Sequence, residues 1–224
     1  LVINNTAPVV TLSVKNSDGN VISNGSFSRD ETLTITFTSS IATSNFTVQD
    51  VVVSGGDLSN FNASSSTVYT AIFTPSNEGL ITVNIPSNSF TDASGVSNIE
   101  SIPFSWTYDI TAPTMTITAT NGTIDVLNGS MTSDSTLILS FTSSESTDNF
   151  ILDDITAVGG VISDFKSQSK KLYTAVFTPT GEGVKTIDVK SGAFTDASSN
   201  NNTAATQFNW SYNKSNPLVV ITAS

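Results

Sequence analysis

Nineteen Asp and Glu residues supply nearly all the acid–base and metal-binding capacity of this sequence, which has no His and no Cys. Paired carboxylates can flank a glycosidic bond as acid and nucleophile. The adjacent Asp pair, Asp153-Asp154, would point to opposite faces of a strand and would not converge. It reads as solvated surface. Without His or Cys there is no Ser-His-Asp triad, no Cys nucleophile and no zinc site of the usual kind. No disulfide can staple the fold, so hydrophobic cores must carry it. The net charge of −11 repels phosphate backbones and argues against a nucleic-acid partner. No apolar run approaches the ~18–20 residues that span a bilayer, which predicts no membrane insertion in this segment, and no signal-peptide pattern is present.

The elements that must position these carboxylates come in copies. Tyr69-Thr-Ala-Ile-Phe-Thr-Pro75 recurs as Tyr173-Thr-Ala-Val-Phe-Thr-Pro179, and Phe90-Thr-Asp-Ala-Ser94 as Phe194-Thr-Asp-Ala-Ser198. Gly55-Gly56 recurs as Gly159-Gly160, and Trp106 and Tyr108 as Trp210 and Tyr212. The joints repeat as well, Thr6-Ala-Pro8 as Thr111-Ala-Pro113, and Pro217 restarts the pattern. The expected division is a tail of a preceding repeat or linker over 1–7, repeats over 8–112 and 113–216, and the first strand of a further repeat over 217–224. Pro8, Pro113 and Pro217 would stiffen the joints.

Within each repeat the apolar residues alternate. Leu33, Ile35 and Phe37 share one face of a strand and threonines the other; Tyr69, Ala71 and Phe73 behave alike, as do Phe104, Trp106 and Tyr108. The 36 Ser, 33 Thr and 21 Asn fill the outward half of this alternation. Turn signals at Asp18-Gly19, Asn24-Gly25, Gly55-Gly56 and Glu78-Gly79 separate about seven strands per repeat, near 8–15, 31–38, 45–54, 57–62, 67–74, 80–86 and 101–108. No helical period competes. The fold class is all-β, two tandem immunoglobulin-like sandwiches in a longer array. Phe37, Phe73 and Trp106, with Phe141, Phe177 and Trp210, form the expected cores rather than a sugar-stacking surface.

The ordered set Thr-Ala-Pro, Phe-Thr-Ser-Ser, Asn-Phe, Gly-Gly, Tyr-Thr-Ala-x-Phe-Thr-Pro, Phe-Thr-Asp-Ala-Ser and Trp-x-Tyr resembles the tandem bacterial Ig-like repeats of large surface adhesins and secreted repeat proteins. The resemblance spans both repeats. It implies an extracellular or cell-surface structural role, and it makes calcium at acidic oxygens near the joints a possible cofactor. The position to match is Asp109, where the other two joints carry Asn4 and Asn213. Asp92 and Asp196 are the alternatives, and both also suit a turn cap.

Nine Asn-x-Ser/Thr triplets offer N-glycosylation acceptors: Asn4, Asn24, Asn45, Asn62, Asn121, Asn128, Asn201, Asn209 and Asn213. Asn24 and Asn128 occupy the same turn of the two repeats, and Asn209 should face outward beside an inward Trp210.

The sequence therefore predicts a non-enzymatic structural repeat, a rigid bead in an adhesin stalk or a surface or secreted fibre. Its partners are neighbouring repeats of the same chain and, in a filament, copies of itself. The alternatives are a ligand- or glycan-binding adhesion module, whose end loops would carry the site, or a subunit that polymerises by strand exchange through its terminal strands.

Overall fold

The computed structural model describes residues 6–215. The chain divides into two compact units, Leu1–Ile110 and Thr111–Ser224. The first contains β1 (Val10–Asn16), β2 (Val21–Ile22), β3 (Ser26–Ser28), β4 (Leu33–Ser39), β5 (Val52–Ser54), β6 (Gly56–Ala63), β7 (Val68–Pro75), β8 (Gly79–Asn84) and β9 (Phe104–Tyr108). The second repeats this series as β10 (Met115–Thr120), β11 (Asp125–Val126), β12 (Met131–Thr132), β13 (Leu137–Ser143), β14 (Ile155–Val158), β15 (Gly160–Ser167), β16 (Leu172–Pro179), β17 (Gly183–Val189) and β18 (Phe208–Tyr212).

Each unit is a two-sheet sandwich. The first pairs a five-stranded sheet, β2-β1-β4-β7-β6, with a four-stranded sheet, β3-β9-β8-β5. The second has β11-β10-β13-β16-β15 against β12-β18-β17-β14. This is the immunoglobulin arrangement, with a short strand running parallel to the last one. Both units are thus Ig-like β-sandwiches, and the alternation of the sequence is the reason. In β4 the burial pattern puts Leu33, Ile35 and Phe37 inside and leaves Thr34, Thr36 and Thr38 outside, and β13 does the same with Leu137, Leu139 and Phe141.

Two local features differ from the sequence reading. The expected strand over 45–54 is a single 3-10 turn, Val48–Asp50, followed by the three residues of β5. Asp50 explains the turn, because its carboxylate accepts the Thr47 N–H at 2.7 Å and ends the extended run. The short strands β2 and β3 lie in a stretch where two or three residues are too few to show a period.

The aromatic packing has two parts. Phe73 meets Trp106 edge to face at 5.1 Å, and Phe177 meets Trp210 at 4.8 Å. Phe46 is a hub whose ring contacts Phe37, Phe61, Tyr69 and Phe90 at 4.9–5.8 Å, and Phe150 repeats it in the second unit.

Gly56 and Gly160 are required for steric reasons. A Cβ on Gly160 would fall within 2.6 Å of Phe177 Cε1 and of the Thr178 carbonyl, and one on Gly56 would meet Phe73 and Thr74 the same way. The glycine lets the chain cross between sheets against a core ring. Gly160→Ala is expected to lower the stability of the second unit by about 2–3 kcal/mol through overpacking, read as a lower midpoint in urea with the first unit unchanged.

Candidate functional site

The residues capable of chemistry are built into turns. Asp92 and Asp196 are buried in equivalent turns of the long connections before β9 and β18. Asp92 Oδ1 accepts the Ser94 and Val96 N–H groups at 2.8 and 2.9 Å. Asp196 Oδ1 accepts those of Ser198 and Asn200 at the same distances, and its Oδ2 accepts Asn200 Nδ2 at 3.0 Å. Each thereby satisfies two backbone donors that the buried turn cannot expose to water. Asp109 is half-buried just after β9, and its N–H donates to the Ser28 carbonyl at 3.1 Å. Of the Asp pair, Asp154 accepts the Ile151 N–H at 2.8 Å to close its 3-10 turn, while Asp153 is exposed.

Three repeated features escaped the sequence reading. Asn98, 2% exposed, makes four hydrogen bonds: its Oδ1 accepts the Ser89 and Phe90 N–H groups at 2.8 and 3.0 Å, and its Nδ2 donates to the Pro86 and Ile99 carbonyls at 2.8 and 3.0 Å. Asn202 holds Phe194, Lys190 and Thr203 in the same way. The signal was available, since Asn98 and Asn202 occupy matching places in the two copies. Tyr69 and Tyr173 donate their hydroxyls to the Thr43 and Thr147 carbonyls at 2.7 and 2.8 Å, and burial pushes both phenols above their usual pKa.

The third is the glutamate of each β7–β8 type turn. Glu78 accepts the Ile110 N–H at 2.7 Å, and Glu182 accepts Lys214 N–H and Ser215 Oγ at 2.9 and 2.8 Å. The Ser215 hydroxyl, and after it the Lys214 N–H, hold the Glu182 carboxyl below its ordinary pKa. A carboxylate lowered by folding stabilises above its unfolded pKa and loses that contribution as pH falls through the lowered value. Residues 213–215 are therefore expected to loosen only in acid. The Ser215 amide shift should titrate below the ordinary Glu range by NMR, and Glu182→Gln should flatten that titration.

The glycosylation triplets fall into two groups. Asn24 Oδ1 accepts the Ser105 N–H at 2.7 Å, and Asn128 Oδ1 accepts that of Asn209 at 2.7 Å, each extending the ladder of the last strand by one side-chain bond. Asn45 bridges to Thr91 through both ends of its amide. Its counterpart Asn149 makes the same bridge to Thr195 without being part of a triplet. Asn121 accepts the Thr123 and Ile124 N–H groups, as Asn16, also outside any triplet, accepts those of Asp18 and Asn20. Asn213 accepts the Ser215 N–H at 2.9 Å, and Asn209 is half-buried within β18. Asn62 is exposed with one long bond, Nδ2 to Ser64 Oγ at 3.4 Å, and Asn201 is exposed and pairs with Thr195 in an isolated bridge. Asn4 and Pro217 lie outside the described residues, as do most of 1–7 and all of 217–224; Pro8 and Pro113 are buried, and their carbonyls accept the Ile99 and Thr203 N–H groups.

The six expected core residues, Phe37, Phe73, Trp106, Phe141, Phe177 and Trp210, are each 0–1% exposed. A groove lined by residues of the first and last strands occurs in both units, and it is the more apolar in the first. In the first, a groove of about 540 Å³ is lined by Val9, Leu12, Ile99, Ile102, Pro103 and Phe104, with Ile102 83% exposed. The second unit's groove, about 430 Å³ beside Met115, Ile117 and Phe208, has Thr206 and Gln207 where the first has Ile102 and Pro103. Among the described residues no helix is long and apolar enough to cross a membrane.

No curated protein matches the chain. Among solved structures it is similar to FdeC, an Escherichia coli adhesin, at 11% identity and a TM-score of 0.47, covering 93% of this chain and 63% of that one. It is also similar to InvD of Yersinia pseudotuberculosis, at 19% identity and a TM-score of 0.41, covering 99% and 63%. Invasin, a bacterial integrin-binding protein, aligns at 16% identity and a TM-score of 0.43, covering 91% and 39%. The chain thus spans less than two thirds of the length of each of these three. The family described as bacterial Ig-like domain matches residues 4–105 and again 109–212. With both units matched almost end to end, this chain belongs to the bacterial Ig-like domain family.

Proposed function

We propose that this chain is a non-enzymatic structural segment of a longer extracellular or surface protein, each unit serving as a bead of an adhesin-type stalk or fibre. One observation carries the reading. The polar side chains that the two units share are bound into the fold: Asp92 with Asp196, Asn98 with Asn202, Glu78 with Glu182, Tyr69 with Tyr173 and Asn24 with Asn128. What repeats is architecture, and a bead requires nothing else. Pulling the purified chain from its two ends should give two separate unfolding events, each releasing roughly 350 Å of contour length for about 104 residues. Chains that extend without resistance would contradict the stalk role.

The second reading, a ligand-binding adhesion module, is favoured by the apolar lining that Ile102 and Pro103 give the first unit's groove, where the second unit's groove has Thr206 and Gln207. A ligand screen against the purified chain, including a glycan array, separates the two, since a stalk segment binds none of the immobilised ligands. Strand exchange through the termini concerns residues outside those described. The described sheet edges β6 and β15 are bulged, with Asn60 and Asp164 at φ 52°, a feature that discourages edge pairing.

Glycosylation is proposed for Asn62 and Asn201 ahead of the other triplets, because both are exposed and their side-chain amides are not bound to the backbone. Asn24 is the counter-case, since the hydroxyl of its Ser26 is buried. When the folded chain is treated with an oligosaccharyltransferase, glycopeptide mass spectrometry should find Asn62 and Asn201 occupied several-fold more than Asn24, Asn45, Asn121 and Asn128. Equal occupancy would show that the amide bonds do not govern access.

A further inference from the structure

We infer that the two beads are graded in strength, with the second unit a built-in weak link that opens before the first. The key difference lies at one core position. Ile81 of β8 lies opposite Trp106 and is fully buried, whereas Lys185 of β17 lies opposite Trp210 and is 2% exposed. A lysine head carries three donors and no acceptor. Nζ donates to the Glu182 carbonyl at 3.4 Å, beyond good N–H···O range. The Lys170–Asp148 ion pair lies on the surface, and among the described residues no carboxylate pairs with Lys185. The lysine stem runs over Gly159, where a Cβ would be 2.7 Å from Cδ and 3.1 Å from Nζ, along the path Ile81 takes over Gly55. The site has the shape of an isoleucine and holds an amine, and a buried polar head without good partners is costly.

Smaller differences point the same way. Val14, opposite Ile35, becomes Ala119, opposite Leu139, with both positions buried. Ile22 and Val51 are buried in the first core, while their counterparts Val126 and Ile155 are only partly so. Met115 for Val10 and the deeper burial of Phe208 than Phe104 act in the opposite direction, but a change in a few methylene contacts is smaller than the cost of an ill-paired buried amine. A graded array lengthens stepwise under stress while its stronger beads stay folded.

The test is hydrogen exchange by mass spectrometry on the whole 224-residue chain in graded urea. The expected result is that amides of β13, β16 and β17 exchange through an opening at least tenfold more frequent than those of β4, β7 and β8. Lys185→Ile and Lys185→Met should each slow the second unit's exchange by tenfold or more and leave the first unchanged. Ile81→Thr should bring the first unit down toward the second. Equal protection of the wild-type units, or Lys185→Ile exchange as fast as or faster than wild type, would overturn the inference.

Discussion

Trp106→Ala is expected to unfold the first unit at moderate temperature while the second still melts as a cooperative domain. The indole is fully buried, packs edge to face on Phe73 and lies opposite Ile81. Truncating it leaves a cavity at the centre of the sandwich, a change that costs about 3–5 kcal/mol, against a whole-domain stability of about 5–15 kcal/mol. Trp106→Phe is the control. The indole N–H is buried with no partner, and Trp210 has the same orphan. Phe therefore gives up packing area but no hydrogen bond, and the expected cost is about 1–2 kcal/mol. Calorimetry on the whole chain checks both: Ala removes one of two transitions, and Phe shifts it. A Phe variant as damaging as Ala would mean that the indole nitrogen has a bridging partner, such as a buried water.

Asn98→Ala is the second large effect. The connection over 85–103 has little strand structure, and one amide replaces the ladder it lacks. Removing it leaves the Ser89 and Phe90 N–H groups and the Ile99 carbonyl without this partner, while the Pro86 carbonyl keeps the Ser89 hydroxyl at 2.9 Å; each lost partner costs about 1–3 kcal/mol before relaxation. The net loss expected is about 3–4 kcal/mol. Asn98→Asp is informative because it keeps the acceptor and loses both donors; it should also be strongly destabilising at neutral pH, where a buried carboxylate would face two carbonyls. Urea unfolding followed by Trp fluorescence measures this, and a change below 1 kcal/mol for Ala would refute the assignment.

The sandwich was legible because alternation and repetition agree. Leu33, Ile35 and Phe37 announce a one-sided strand, and a second copy of nearly the same pattern removes chance as an explanation. Gly55-Gly56 was visible as a break but not as a steric requirement, since only the packed Phe73 ring shows why a side chain is refused. Asn98, Glu78 and Tyr69 act through long-range bonds to backbone atoms, which no local period encodes; their recurrence in the second copy was the available signal. Asn24 and Asn45 show a role that the triplet does not encode. Each lies in a glycosylation triplet, yet its amide is engaged in the fold, and Asn149 shows that the bonds of Asn45 do not depend on the triplet. Lys185 stands at a position the alternation marks as inward, and a charged residue there conflicts in kind with Ile81 of the first copy.

The central claim is that these units are beads of an extracellular stalk. Immunogold electron microscopy of intact source cells, with antibodies raised against the folded chain, tests it most directly. The stalk account predicts gold on structures projecting from the cell surface or on released fibres. Label confined to the interior of sectioned cells, with none outside, would contradict it.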